Sequence, residues 1–432
     1  MVSQPTVSRL IAEMGASRIV RMGRARSSRY ALRRSVRGIG SSWPLYRIAP
    51  GGAPEAIGRL YSLENGRWYV EQDEPWDALR GVEFADGLYP GLPWFLQDLR
   101  PRGFLGRSFA RRFAAQLGAP TDPRRWSDDD VAVGLVQLGD NLPGDLVVGE
   151  AALTATQILK TRKIAALDVA DRQAVYPARA DATVSGEWPG SSAAGEQPKF
   201  TVCLSDAAGA TRYAIVKFSG NVTRAEDRRW ADLLVAEHVA NGVLSEQGVP
   251  CASTHILESA GRFFLESTRF DRFGEHGRRG LVSLEALDAA FFGALDTPWT
   301  DAATRLLGDG WLSEADSDRL SLLWWFGTLV GNTDMHYGNV SLFLDRARPL
   351  ALAPTYDMVP MLYRPDSEGY FPNDPILPPP PLPETRDLWL QAEGLAEVFW
   401  SRLASSESVS AGFRDLASRN ADALAESKRR FL

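Results

Sequence analysis

The sequence predicts a mixed α+β protein with more than one domain, and three observations support this prediction. The chain has 432 residues, about three times the length of a typical single domain. Its composition, 44% apolar and 24% charged, is that of an ordinary folded protein. Short alternating runs occupy the first quarter of the chain, and longer segments with helical spacing and capping signals follow. These patterns indicate antiparallel sheet units combined with a helical body.

Cysteine, histidine and hydropathy patterns exclude several protein classes. Two cysteines and four histidines, all scattered, are too few for a disulfide framework or a structural zinc site. No run approaches the roughly 18 apolar residues of a membrane span, and the N-terminus lacks the apolar stretch of a secretory signal. We therefore expect a cytoplasmic protein without a membrane partner.

Positive charge is concentrated at the N-terminus. Residues 1–40 hold nine arginines against one acid, Glu13, a net charge of +8, so the other 392 residues carry −14 of the total of −6. A basic segment on an acidic body is typical of a nucleic-acid contact, because neutralised phosphates release counterions. The alternative is a solvated basic arm. We expect residues 1–37 to bind DNA.

The same segment has the pattern of a helix followed by a hairpin. After a Ser/Pro start signal, helical spacing is shown by four apolar residues, Val7, Leu10, Ile11 and Met14. Arg18–Met22 and Ser28–Leu32 then alternate around a turn at Gly23–Arg26. The segment resembles the recognition helix and wing of winged helix-turn-helix domains. Because the chain begins where the earlier helices of such a domain would already have passed, we expect an upstream start or an incomplete unit.

Residues 38–150 are predicted to form a second, mainly antiparallel unit. Its alternating runs, separated by Gly, Pro and Asn turns, are Leu45–Ile48, Arg59–Leu63 and Trp68–Glu71. A helix is predicted after the cap at Ser127, and another within residues 150–175. Near the other end of the chain, Pro375–Pro383 predicts an irregular surface loop, since proline fixes φ and donates no backbone hydrogen bond.

A polar loop at Gly331–Asn339 is the most specific feature of the sequence. A helix capped at Ser313 is predicted to run up to this loop. Immediately afterwards Val340–Leu344 and Leu350–Ala353 predict a hairpin, which delivers Asp357 at its end. A second acid is therefore expected beside the loop.

Phosphoryl transfer needs this arrangement of side chains. One carboxylate orients the attacking hydroxyl and accepts its proton, while an asparagine and a further aspartate hold Mg²⁺ on the phosphates. Asp334, Asn339 and Asp357 would fill these roles, and the five-residue step from Asp334 to Asn339 matches the catalytic loop of protein kinases. The alternative is that Asn332-Thr333-Asp334 and Asp357 are turn residues, since Asn and Asp are common in turns.

A lysine on an upstream strand favours the catalytic interpretation. Tyr213–Phe218 is a short apolar run that carries Lys217, similar to the strand lysine that pairs with nucleotide phosphates in kinases. An edge-strand charge is the alternative. The loop Ser191–Phe200 precedes it and is placed to cover phosphates, although its glycines are too few for a glycine-rich loop. The acid that pairs with Lys217 is expected from a helix at 226–241, where four candidates stay open: Glu226, Asp227, Asp232 and Glu237.

Together these motifs resemble HipA-type serine/threonine kinases, the toxins of bacterial toxin–antitoxin pairs, over residues 40–432. The matching segments are Ser192–Lys199, Val216–Lys217, Thr268–Arg272, Gly331–Asn339 and Pro354–Asp357. With the preceding helix and hairpin, the chain is similar to the YjjJ-like branch, in which a DNA-binding element is fused to the kinase. The resemblance implies a two-lobed kinase-like fold, with an N-lobe at 151–272 and a helical C-lobe at 273–432.

The resemblance also implies a role for each motif residue. Asp334 would be the catalytic base, and Asn339 and Asp357 would be the Mg²⁺ ligands. Thr268 and Phe270 would lie at the inter-lobe hinge near adenine. Asp271 would approach the ribose, His336 would belong to the catalytic loop, and Ser192 would be the serine that disables the enzyme when it is autophosphorylated. The nucleotide-binding residues that the resemblance implies are Lys217, Ser192, Gly195, Lys199, Thr268, Phe270, Asp271 and His336.

The expected cofactors are ATP and Mg²⁺, and the expected substrate is a protein that carries Ser or Thr, with an antitoxin as a candidate partner.

Glu196 departs from the family's loop pattern and adds negative charge near the phosphates. Two alternatives remain. The loop around Asp334 also resembles that of aminoglycoside phosphotransferases, which modify small molecules, and the basic N-terminus also suits a non-catalytic DNA-binding regulator with a kinase fold.

Overall fold

The structure, a computed structural model, describes residues 4–15, 17–23, 28–161, 166–186, 197–294 and 297–431. Its N-terminal element is helix α1 (Gln4–Met14) followed by a hairpin of β1 (Ile19–Met22) and β2 (Arg29–Leu32). The helix and both strands confirm the local predictions, while the intervening turn after Gly23 lies outside the described residues. The hairpin packs on the next domain through a small apolar cluster of Val20, Met22, Tyr61, Leu63 and Tyr69.

A second unit follows, built on a five-stranded antiparallel sheet. Its strands are β3 (Ser42–Ile48), β4 (Pro54–Ser62), β5 (Trp68–Gln72), β6 (Leu88–Tyr89) and β7 (Leu146–Val148), in the order β6-β5-β4-β3-β7. The helices of this unit are α2 (Asp77–Arg80), α3 (Trp94–Gln97), α4 (Gly103–Leu117), α5 (Asp128–Leu138) and α6 (Glu150–Thr161). Ser127 caps α5 by accepting a hydrogen bond from the Asp130 amide, as the sequence predicts.

The third unit is a five-stranded sheet between two helices. Its strands are β8 (Leu167–Asp168), β9 (Lys199–Ser205), β10 (Thr211–Phe218), β11 (Thr254–Ser259) and β12 (Arg262–Thr268), in the order β11-β12-β10-β9-β8, and its helices are α7 (Arg172–Val184) and α8 (Ala225–Glu246). The helix predicted within 150–175 is confirmed by α6, and the short strand β8, which pairs with β9, follows it before α7 begins. The central position of β10 also excludes the edge-strand interpretation of Lys217.

The last unit is mainly helical. Short strands β13 (Arg272–Phe273), β14 (Gly277–Arg278), β15 (Leu281–Ser283) and β16 (Ser341–Phe343) accompany helices α9 (Leu284–Phe291), α10 (Trp299–Gly308), α11 (Glu314–Leu329), α12 (Arg386–Ala404) and α13 (Ala411–Phe431). Ser313 caps α11 as predicted. The predicted hairpin forms only in part: β16 pairs along its length with β15, and Leu352 contributes one bridge to Leu342.

The two largest apolar cores of the described residues hold these units. The larger core runs through the second unit, α8 and the helical unit. A smaller one lies between α7 and the third sheet and contains Tyr176, Phe200, Val216, Phe218 and Phe264. No helix in the described part of the chain is both long and apolar enough to cross a bilayer.

Candidate functional site

Alternation along β10 decides where Lys217 points. Val216 and Phe218 belong to the small core on the α7 side of the sheet, so Lys217 projects from the opposite face. There it meets α8, and both carboxylate oxygens of Glu237 lie 2.7 Å from its Nζ. Both side chains are buried, with 7% of Lys217 and 2% of Glu237 exposed.

This pair resolves the choice among the four acids of α8. Glu226 and Asp227 lie in the first helical turn beside Arg224. Asp232 accepts a hydrogen bond of 2.7 Å from the Ser410 amide and is engaged with the start of α13. Glu237 is therefore the acid that pairs with the strand lysine.

Lys217 also contacts the carboxylate of Asp357, and this contact joins the third unit to the helical unit. Asp357 has φ of +56°, a left-handed conformation that costs a non-glycine residue about 1–2 kcal/mol. Strain of this kind persists where surrounding contacts impose it, and it is common at functional sites. The main chain at Asp357 is held by Asn332, whose Nδ2 donates to the Asp357 carbonyl at 3.3 Å.

The three charges of this cluster shift each other's ionisation. Burial alone would lower the pKa of Lys217, but Asp357 and Glu237 raise it above its usual value. Burial opposes ionisation of Asp357, yet Lys217 and Lys199 hold its pKa below the usual range. The pKa of Glu237 is raised, first by burial and also by Asp357. Lys199 faces Lys217 across the β9–β10 ladder and is itself buried, so two lysines share this end of the sheet.

The polar loop after α11 is fixed by hydrogen bonds to two asparagines. The Oδ1 of Asn332 accepts from the Asp334 amide at 3.0 Å, while its Nδ2 reaches Asp357. The Nδ2 of Asn339 donates to the Asp334 carbonyl at 2.8 Å. Asp334, Asn339 and Asp357 are thus brought together in one hydrogen-bonded cluster.

Asn332 is a positioning residue that the sequence motifs did not assign. Its side chain is buried and links the two loops that carry the acids. The available signal was the Asn332-Thr333-Asp334 pattern, because an Asn side chain readily bonds the amide two residues on. The turn interpretation of these residues is therefore true of Asn332, and it is compatible with a site at Asp334.

Asp334 and His336 are exposed on this loop and line a cleft of about 510 Å³. His336 Nδ1 accepts a hydrogen bond of 3.0 Å from the Gly338 amide, which in a neutral imidazole leaves the proton on Nε2. His336 thus shapes the loop.

Thr268 and Phe270 lie where β12 leaves the sheet and the chain enters the helical unit. The Thr268 amide donates to the Ser253 carbonyl at 2.8 Å. The Phe270 ring packs on the Tyr356 ring, next to Asp357, with 5.9 Å between centroids. Phe270 therefore contributes apolar surface beside Asp357.

Asp271 does not fit the role of a ribose ligand. Its carboxylate is 4% exposed and faces the guanidinium groups of Arg269 and Arg272 and the Gly144 amide, at 2.7–2.9 Å. Burial would raise the pKa of Asp271, but the two arginines hold it far below its usual range. This geometry is that of a buried structural ion pair, so we leave Asp271 out of the nucleotide site. Ser192 and Gly195 lie outside the described residues.

The residues present fit a magnesium nucleotide. Among the described residues no group of three His, Cys, Asp or Glu side chains is arranged to hold a metal ion alone. Mg²⁺ usually takes one or two protein carboxylates and completes its shell with phosphate and water oxygens. Asp357 and the amide oxygen of Asn339 match this donor set, and Lys217 and Lys199 supply positive charge for phosphates.

The basic N-terminal segment is partly neutralised within the protein. Arg34 forms two hydrogen bonds of 2.6 and 2.7 Å to Asp129 at the start of α5. Among the described residues of this segment, four arginines have acidic partners: Arg34 with Asp129, Arg37 with Asp130, Arg29 with Asp86 and Arg9 with Glu13. Arg21 on β1 instead donates to the Ser28 hydroxyl, at 3.0 and 2.8 Å. A DNA contact would therefore use fewer charges than the sequence total suggests.

Comparison with known proteins gives two family matches and one close relative. A profile described as the YjjJ-like toxin middle domain matches residues 39–157, and one described as the HipA-like C-terminal domain matches residues 191–422. A protein named Toxin YjjJ, from Escherichia coli (strain K12), is 35% identical over 417 residues, which span 96% of this chain and 90% of the relative.

Solved structures support the fold. The Shewanella oneidensis MR-1 toxin–antitoxin complex of HipA, HipB and operator DNA includes a chain that matches with a TM-score of 0.50 and 15% identity, covering 90% of this chain and 97% of that one. At this identity the likeness shows the fold alone, and it confirms the predicted α+β HipA-like architecture. The Helicobacter pylori proinflammatory kinase CtkA matches with a TM-score of 0.35 and 14% identity over 54% of this chain and 88% of its own, too distant to support an argument.

Proposed function

Because the chain belongs to the HipA family, in its YjjJ-like branch, we propose that it is an ATP-dependent serine/threonine protein kinase that acts as a toxin in the cytoplasm. The single observation that carries the proposal is the cluster that joins Lys217, Glu237 and Asp357 to the Asp334–Asn339 loop. A kinase needs these charges at one cleft, because phosphoryl transfer is catalysed mainly by positioning and charge neutralisation.

Each residue has a defined task in this proposal. Asp334 accepts the proton of the substrate hydroxyl while that oxygen bonds to the γ-phosphorus and the bond to the β-phosphate oxygen breaks. Asn339 and Asp357 would hold Mg²⁺, which would supply positive charge to neutralise the phosphates. Lys217 and Lys199 attract the phosphates electrostatically, and Glu237 positions Lys217.

Glu237 positions Lys217 independently of Asp357. The lysine is shared between two carboxylates, so Glu237 would keep it in place while Asp357 holds the metal. Phe270 and Thr268 would lie beside adenine at the junction of the two lobes.

Transfer of labelled phosphate tests the proposal. The protein is incubated with labelled ATP and Mg²⁺ and a cell lysate, beside its Asp334→Asn variant. We expect label on protein with the wild type and a loss of at least a hundredfold with Asp334→Asn, as is usual for a general base. Label on small molecules alone would favour a phosphotransferase of the aminoglycoside type. No transfer under any condition would favour a non-catalytic regulator.

The toxin role proposed for this chain follows the name of its Escherichia coli relative. If toxicity depends on phosphoryl transfer, expression should inhibit growth and Asp357→Ala should relieve the inhibition at an equal protein level. Growth inhibition that persists in Asp357→Ala would separate toxicity from the kinase site.

We further propose that the N-terminal helix and hairpin bind DNA and that an antitoxin is a partner. The basic charge of residues 1–40 and the helix followed by a hairpin support DNA binding, and the family's solved complex contains a partner protein and operator DNA. Salt-sensitive DNA retention that survives deletion of residues 1–37 would contradict this assignment.

A further inference from the structure

The cleft beside Asp334 has an apolar wall that the phosphoryl-transfer machinery does not use. It lies between the end of α11, the loop that follows it and the segment 362–379. Its apolar lining is formed by Trp324, Met335, Leu362, Ile376, Leu377 and Pro379. Leu377 is 93% exposed, so a large apolar side chain stands in solvent at the edge of the proposed acceptor site.

This wall is preformed by its backbone contacts. The Leu362 amide donates to the Gly331 carbonyl at 2.9 Å, which ties the segment to the catalytic loop. Gly331 has φ of +76°, and a Cβ there would lie 3.3 Å from Ile376. The Ile376 amide donates to the buried Oδ1 of Asn420 on α13 at 2.8 Å. The residue before Leu377 is therefore anchored, and Leu377 is presented from a fixed base.

The charge of the lining restricts what can occupy the cleft. Among its lining residues the carboxylate is Asp334 and the imidazole is His336, and none is Lys or Arg. The remaining polar groups are uncharged, with three threonines, Thr297, Thr328 and Thr333. An acidic side chain packed on this wall would lose water and face the Asp334 carboxylate, and a basic one would find no acid on the apolar wall away from Asp334, whereas an apolar one gains burial.

We propose that the cleft binds the acceptor segment of the protein substrate and selects a Ser or Thr with a neutral, apolar side chain within two or three residues. This inference rests on the proposed kinase function, because the occupant must bring a hydroxyl to Asp334. An extended peptide has the required form, since its successive side chains point to opposite sides and every second one returns to the same side. One side chain can then approach Asp334 while a neighbour packs on Trp324 and Leu377.

A positional-scanning peptide library with one fixed serine tests the proposal. For the wild type we expect Leu, Ile or Phe to be preferred over Lys, Arg, Asp and Glu by about tenfold in kcat/KM at one or two positions near the serine, the scale of discrimination of a single hydrophobic contact. The variant Leu377→Asp should lose this preference and favour Lys or Arg at the same position. Because Leu377 is exposed, the substitution removes no buried contact.

Val82→Asp is the matched control, since Val82 is 87% exposed and lies outside the cleft lining. It should keep the wild-type preference. Binding of ATP to Leu377→Asp, measured by calorimetry, should equal that of the wild type. A wild-type kinase that phosphorylates the library without apolar preference, or a Leu377→Asp variant with unchanged preference, overturns this inference and leaves the kinase intact. Absence of transfer to any peptide or lysate protein overturns the proposed function itself.

Discussion

Replacing Glu237 with glutamine should weaken both the fold and phosphoryl transfer. Removing one partner of a buried ion pair costs about 3–5 kcal/mol when the other charge is left alone. Here Lys217 keeps Asp357, so we expect roughly half of that loss, about 2 kcal/mol, in the free energy of unfolding. Without Glu237 the lysine is held by Asp357 alone. Asp357 would then be held more firmly by the lysine and would be less available to the metal. If the same ~2 kcal/mol is lost from the transition state, phosphoryl transfer should slow about thirtyfold.

Two measurements on Glu237→Gln check this expectation. Urea unfolding gives the stability, and single-turnover transfer of labelled phosphate gives the rate. Glu226→Gln is the control, because Glu226 is an acid of the same helix that lies beside Arg224 in its first turn. Equal losses in both variants, or an unchanged rate in Glu237→Gln, would refute the role assigned to the Lys217–Glu237 pair.

Four further substitutions test other parts of the structure. Asp271→Asn should lower the free energy of unfolding by about 3 kcal/mol and leave the ATP affinity, measured by calorimetry, unchanged. Because folding lowers the pKa of Asp271, the stability that its carboxylate contributes is present above the pKa of the unfolded state. That stability is lost as the pH falls through the pKa of the folded state. Asn332→Ala removes three hydrogen bonds, so the single-turnover rate should fall about a hundredfold; an unchanged rate would count against it. Arg21→Ala should lower the salt dependence of DNA binding by about one ion, whereas Arg34→Ala should lower stability and leave that dependence unchanged.

Local patterns in the sequence predicted the polar loop at Gly331–Asn339 because its residues lie close together along the chain. The five-residue step from Asp334 to Asn339 fits within one loop, and the 3.0 and 2.8 Å hydrogen bonds there are local. Lys217 was equally easy to identify from the sequence, because the apolar run around it predicts a strand and the lysine is its one charged residue between Tyr213 and Phe218.

Long-range partners were the part that the sequence did not predict. Asp232 and Glu237 are both buried on α8, and only tertiary packing decides that Glu237 meets Lys217 while Asp232 meets Ser410. In the same way β16 pairs mainly with β15, about sixty residues earlier in the chain, because hydrophobic alternation predicts a strand without naming its neighbour.

The role of a charged residue is also ambiguous in the sequence, because its partners are decided by tertiary packing. Asp271 stands in a motif that is compatible with a ligand or with an ion pair, and its two flanking arginines decide the matter only once their side chains are placed. The net charge of the N-terminal segment likewise does not reveal that Arg34 and Arg37 are paired with Asp129 and Asp130, more than ninety residues later in the chain.

Magnesium-dependent binding of ATP, measured by calorimetry on three proteins, tests the shared site most directly. We expect the wild type to bind ATP more tightly with Mg²⁺ than without it. Asp357→Asn should lose this enhancement, and Asp334→Asn should keep it while failing to transfer phosphate. If Asp357→Asn retains the full magnesium effect, the metal does not bind at the junction of the two lobes and the catalytic assignment is wrong.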